Sequence, residues 1–226
     1  QLLWSRYTSI RIDPSKQITN RQSSDGEFDK VFVIISAEAG LSGDIDQRLI
    51  ETMLQNYDKN TTDIVVLGTH GATQLTQRGI AFSHYFQVPE SDKYIDVSPV
   101  VEAIMPYAQV VVYYEEYVSL GVQEIKIIDL ISSLRNMGQT VDDEHAMTVQ
   151  RTIFEPSLDE IADQMAVTMM TLALRQTILE SSLAQAASRF NAMAVAKKRA
   201  RERLGDYKLE VHRTKPSDSK LTIRNV

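Results

Sequence analysis

Apolar positions along this chain follow two different rules. From about residue 30 to 155 they come in short runs broken by polar, glycine-bearing turns; from 157 to 215 they recur at helical spacing without a break. Val31-Phe32-Val33-Ile34-Ile35 is an apolar, β-branched run of the kind expected for a strand covered on both faces. A turn, Glu38 to Asp44, leads into Ile45–Tyr57, where Ile45, Leu49, Met53 and Leu54 predict a helix. Ile64–Leu67 followed by Gly68 predicts a second buried strand, Pro99–Ala108 a helix and Gln109–Tyr117 a third strand. Gly121–Leu130 and Met147–Phe154 read as two more strands, expected to pair as an edge hairpin across the acidic loop Asp142-Asp143-Glu144. This order implies an α/β class: a Rossmann-like layer with a mostly parallel sheet and crossover helices.

The second regime is one element. Pro156-Ser157 opens it, with Glu160 three residues after Ser157 as in a capping box. The next proline is Pro216, and Gly205 is the only glycine between them. That allows a very long C-terminal helix of nearly 60 residues, roughly 85–90 Å. Within it Leu179, Leu183, Ala186, Phe190, Met193, Lys197, Ala200, Leu204, Tyr207 and Val211 keep a strict 4,3 alternation. Only Lys197 interrupts the apolar seam, and such spacing predicts a coiled coil. One stripe on one helix cannot bury itself, so the seam calls for a partner helix. The expected organisation is a remnant and loop over 1–28, an α/β domain over 29–155, the coiled-coil helix over 156–215 and a polar tail over 216–226. Residues 1–12 read as the end of an element that starts upstream.

Composition narrows the chemistry. Hydrophobic residues at 43% and charged residues at 24% suit a folded globular chain rather than a disordered one. The absence of cysteine removes disulfides, thiolate metal sites and thiol nucleophiles. No apolar run reaches the ~20 residues that span a bilayer. Residues 197–226 hold ten Lys/Arg against four Asp/Glu, whereas the whole chain has a net charge of −6. A basic tail on an acidic body is what an acidic partner for the tail would select, and also what a solvated helix end looks like. Lys197, Lys198, Arg199, Arg201 and Arg203 form its densest cluster. Without interleaved aromatics they do not read as a nucleic-acid surface.

Gly40-Leu41-Ser42-Gly43 sits where phosphate loops sit, between a strand and a helix. It lacks both the dinucleotide fingerprint and the P-loop lysine, and Glu38 and Asp44 flank it, so it reads as a tight strand-to-helix turn. Gly68-Thr69-His70-Gly71 resembles the ATP-binding loop of universal-stress-type proteins, but Ala81 stands where that family has a glycine. His70, His84, His145 and His212 show no ligand spacing, and Glu115-Glu116 reads as a pair of strand-rim charges. The expected inventory is no catalytic residue, no cofactor and no metal.

Two stretches resemble the gamma subunit of F-type ATP synthases. The long helix carries Arg189, Ala192, Met193, Ala196 and Ala200, close to that family's R-x-x-A-M-x-x-A-x-x-x-A pattern. Ala37 to Asp46 is similar to its S-D-x-G-L-C-G-G-F-N segment, with Ser42 in place of the cysteine. Ile64–Gly68, Arg78-Gly79, Val110–Tyr114 and Phe154–Ser157 fall in the family's order. Departures are Ala184-Gln185 for a serine-glutamate, and Pro216 within the usual helix tip. The resemblance implies a non-catalytic central-stalk rotor with the alpha and beta catalytic subunits, the epsilon subunit and the c-ring as partners. It also implies a partner helix from the N-terminal part of the same protein. The location implied is the cytoplasmic face of the bacterial inner membrane, or the matrix face of the mitochondrial one. Two other functions fit the residues without the resemblance: a small-molecule or nucleotide-binding α/β protein dimerised by its helix, and an unrelated coiled-coil scaffold.

Overall fold

A computed structural model describes residues 28–38, 40–88, 95–133 and 158–214. Strands β1 (Lys30–Ile35), β2 (Thr62–Leu67) and β3 (His84–Phe86) alternate with helices α1 (Ile45–Leu54) and α2 (Thr69–Gln77). Helix α3 (Ser98–Ile104) precedes the long strand β4 (Gln109–Ser119), which turns into β5 (Val122–Asp129). Helix α4 runs from Leu158 to Thr214.

The five strands lie in the order β3-β2-β1-β4-β5. The first four are parallel, and β5 joins β4 antiparallel at the edge. The Rossmann-like layer and the long helix that the apolar pattern predicts are both present. The central strands are buried in consecutive runs because helices cover both faces. On one face Phe32, Ile34, Ile64, Val66, Val111 and Tyr113 pack against Leu49, Ile50 and Met53 of α1 and Leu75 of α2. Phe32 and Tyr113 meet edge-on, 4.9 Å between centroids, a favoured aromatic geometry. On the other face Val31, Val33, Ile35, Val110, Val112 and Tyr114 pack against α3 and against Met170, Leu174 and Ile178 of α4.

Several boundaries differ from the sequence expectation. Helix α3 stops at Ile104 rather than Ala108, because Pro106 restricts the residue before it. Helix α1 ends at Leu54, three residues early. Helix α2 and strand β3 had no forecast. The Gly121–Leu130 strand is found, but its described partner is β4, through a turn at Leu120-Gly121. The expected strand 147–154, the acidic loop 142–144 and the capping residue Ser157 fall outside the described residues.

β4 is longer than its neighbour. β1 pairs with it only from Gln109 to Tyr113. Beyond that, residues 115–119 pair with β5 alone and extend past the carboxyl edge of the sheet as a two-stranded ribbon. That overhang and the turns after β1 and β2 are what α4 crosses next.

Candidate functional site

Helix α4 has two working faces. Met170, Leu174, Ile178, Ser181, Ala184 and Ser188 are all buried against the sheet and its carboxyl edge. At 3.6 residues per turn, the heptad seam Leu179, Leu183, Ala186, Phe190 and Met193 points about 160° away from that stripe. It is exposed: Leu183 keeps 54% of its surface and Phe190 59%. Leu172, 55% exposed, extends the same line one heptad earlier than the sequence reading placed its start. From Met193 to Arg213 every residue is exposed, so the last part of α4 stands free of the head. Ala200, Leu204 and Tyr207 continue the seam there, Leu204 at 54% and Tyr207 at 65%. Burying one Leu or Phe of this stripe is worth about 1.5–3 kcal/mol. The basic side chains Lys197, Lys198, Arg199, Arg201 and Arg203 are exposed on the same projecting length.

The glycine turn after β1 is a packed joint. Leu41 adopts φ 71° and Gly43 φ 75°. Ser188 donates from its hydroxyl to the Ser42 carbonyl at 2.5 Å. A β-carbon on Gly43 would meet Ser188 Oγ at 3.4 Å and Ala192 Cβ at 3.9 Å. Gly40 has the same room beside the His70 ring. The turn after β2 is tighter: a β-carbon on Gly68, at φ 98°, would lie 2.2 Å from the Ser36 carbonyl oxygen. In doubly wound folds a ligand binds in the crevice beyond the carboxyl ends of the strands where strand order reverses. Here that crevice lies between β1 and β4, and α4 fills it with Ser181, Ala184, Gln185 and Ser188.

The filling is polar at its centre. Glu115 is fully buried, not the rim charge its sequence context suggested. Its Oε2 accepts from Ser181 Oγ at 3.0 Å and from Gln185 Nε2 at 2.8 Å. Burial and the neighbouring Asp46 push its carboxyl well above the usual range. Asp46, also buried, opens α1; it accepts from the Ala37 amide at 2.8 Å, Ser42 Oγ at 2.5 Å and His70 Nδ1 at 3.2 Å. Glu116, the next residue, points away and pairs with Lys126.

Further bonds fasten α4 along the same line. Arg175 donates to the Ile95 carbonyl at 2.7 Å, and Tyr114 Oη donates to Glu180 at 3.0 Å. Asn191 donates to the Leu120 carbonyl at the ribbon tip. Of the helix-motif residues, Arg189 and Ala192 are half-buried at this joint, while Met193, Ala196 and Ala200 are exposed. Ser181 and Ser188 escaped the sequence reading because they are not apolar, and Gln185 entered it only as a departure from the family pattern. The available signal was their shared spacing with Leu174 and Ile178.

An α/β head whose ligand crevice is filled by its own projecting helix, with that helix bare on its far side, defines a stalk-like class of protein. Comparison with known proteins agrees. The ATP synthase family model matches residues 6–217. The ATP synthase gamma chain of Cytophaga hutchinsonii is 28% identical over 201 residues, covering 82% of this chain and 67% of that one. The gamma chain of Malacoplasma penetrans is 22% identical, covering 94% and 77%. In structure, the rotor of the Euglena gracilis mitochondrial ATP synthase superposes with a TM-score of 0.59 at 11% identity, over 88% of this chain and 80% of that chain. The central stalk and c-ring structure from Tetrahymena thermophila gives 0.59 at 18% identity, over 80% and 82%. The chain belongs to the ATP synthase family, as a gamma chain, the non-catalytic rotor subunit of the central stalk. Its partners are therefore subunits of an ATP synthase, and it is a peripheral part of a membrane-bound complex. Among the described residues no helix is long and apolar enough to cross a membrane.

Proposed function

We propose that the outward seam of α4 pairs with a second long helix of the gamma chain, and that the pair turns as a shaft inside the ring of alternating alpha and beta subunits. The exposed apolar line from Leu172 through Leu183 and Phe190 to Tyr207 carries this reading, because a stripe of that length is stable only when covered. Contacts that differ around an asymmetric shaft bias each catalytic subunit toward a different conformation, which couples rotation to ATP synthesis or hydrolysis. The head meets the epsilon subunit and the c-ring, on the cytoplasmic face of a bacterial membrane or the matrix face of a mitochondrial one. Lys197, Lys198, Arg199, Arg201 and Arg203 face acidic surfaces of the catalytic subunits.

The test is purification of the native complex under mild conditions. Recovery of alpha, beta and epsilon subunits with this chain supports the assignment, and recovery of the chain without them overturns it. Within the recovered complex, reversing Arg199 and Arg203 to glutamate should loosen coupling between ATP hydrolysis and proton movement. Unchanged coupling excludes the electrostatic contact.

A further inference from the structure

Glu115 poses a problem that its neighbours answer. Its Oε2 is held by two donors from α4, while its Oε1 is buried with no hydrogen-bond partner among the described residues. A bare carboxylate oxygen sealed from water is costly. The group across from it, Asp46, is also a carboxylate, within hydrogen-bonding range. Asp46 already receives three donors, from Ala37, Ser42 and His70. Two carboxylates in one buried site do not both ionise, and a proton on Glu115 Oε1 turns the unpartnered acceptor into a donor aimed at Asp46.

We propose that Glu115 is protonated in the folded chain and donates to the Asp46 carboxylate, so that a single proton clamps α4 to the carboxyl edge of the sheet and its loss to solvent loosens the helix. The clamp joins three elements. Asp46 belongs to α1, Glu115 to β4, and Ser181 and Gln185 to α4. The other charged or titratable groups on the surrounding elements include His70, Glu38, Glu180, Arg189, Glu116 and Lys126. His70 on α2 bonds Asp46; Glu38 after β1 receives Thr69. Glu180 on α4 is bound by Tyr114, and Arg189, one turn past Gln185, keeps a buried Nε with no hydrogen-bond partner among the described residues. Glu116 and Lys126 pair with each other on the ribbon. Burial and the Asp46 charge both favour the neutral form, in line with the raised carboxyl.

The sign of the pH effect follows. A carboxyl whose folded value is raised gives stability that is complete below its unfolded value, about 4.3. That stability is lost as pH rises toward and through the folded value. Over that window the opening constant of the α4 joint grows by up to about tenfold per pH unit. Glu115→Gln keeps shape, accepts from Ser181 and Gln185, donates to Asp46 and cannot ionise.

The experiment compares hydrogen exchange over residues 174–188 in the full chain and its E115Q variant between about pH 5 and pH 8. Protection in the wild type should fall relative to E115Q as pH rises, and parallel curves would overturn the proposal. Because every other titratable group is common to both proteins, the difference between them reports Glu115. Infrared spectroscopy supplies a readout that needs no stable variant. The wild type should show a protonated-carboxyl band at neutral pH, and its absence refutes the clamp. Asp46→Asn removes the charge that holds the proton in place, so the band should titrate away at lower pH in that variant. The inference concerns the chain's own fold and holds whichever partners surround the shaft.

Discussion

The two halves of α4 are the same helix under opposite conditions. From Met170 to Ala192 it is pinned by a buried inner stripe and by bonds from Arg175, Glu180, Ser181, Gln185, Ser188 and Asn191. From Met193 to Arg213 no residue is buried. The heptad seam passes through both halves, interrupted only at Lys197, while the inner stripe ends where the head ends. The docked half is therefore stabilised by this chain. Helices in proteins draw most of their stability from packing of an amphipathic face, so the projecting half depends on what covers its seam.

That contrast predicts effects of different size in different places. Leu174→Ala empties a fully buried position between α4 and the sheet. It should cost the chain about 2–5 kcal/mol, read as a lower midpoint in urea denaturation of the chain alone. Leu204→Ala, on the exposed projecting seam, should change that midpoint by less than about 0.5 kcal/mol. In the assembled complex it should weaken helix pairing by about 1.5–3 kcal/mol, measured as easier loss of the gamma chain from the complex. A large effect of Leu204→Ala on the chain alone would break the contrast. Ser188→Ala removes one bond at the boundary between the halves. The expected loss is about 0.5–1.5 kcal/mol, confined in hydrogen exchange to the last docked turns. Spread of that change through β1 and β2 would show that the joint is part of the core rather than a fastening on it.

Much of this arrangement could be read from the residues. β1, β2 and β4 announce themselves as β-branched runs because helices cover both their faces. The seam is legible because Leu, Phe and Met repeat at heptad spacing, and the length of α4 because proline is absent from it. Helix α2 was not legible: Thr69–Gln77 holds three threonines, a glycine and only one strongly apolar residue that is buried, Leu75. Its placement comes from tertiary fit, with Gly68 and Gly71 pressed against Ser36. β3 is only three residues of mixed character. The inner stripe of α4 was hidden because half of it is Ser and Ala, chosen for close approach and bonding rather than for apolar area. Glu115 was misread for the same reason. What buries it lies 66 to 70 positions away in the chain, beyond any local pattern. That α4 covers the glycine turn was not visible from the turn's own residues.

The overhanging ribbon of β4 and β5 has a mechanical meaning. Ser181 rests at the end of the parallel sheet and Asn191 at the ribbon tip, about 15 Å apart along the helix. These are two bearings on one axle. From the outer bearing, about 35 Å of helix extends to Thr214. A sideways load at the free end therefore reaches the bearings multiplied by roughly two to three, by simple leverage over those lengths. Without the overhang the bearings would sit closer together and the multiplication would be larger. The extra length of antiparallel ribbon thus gives the head its grip against tilt.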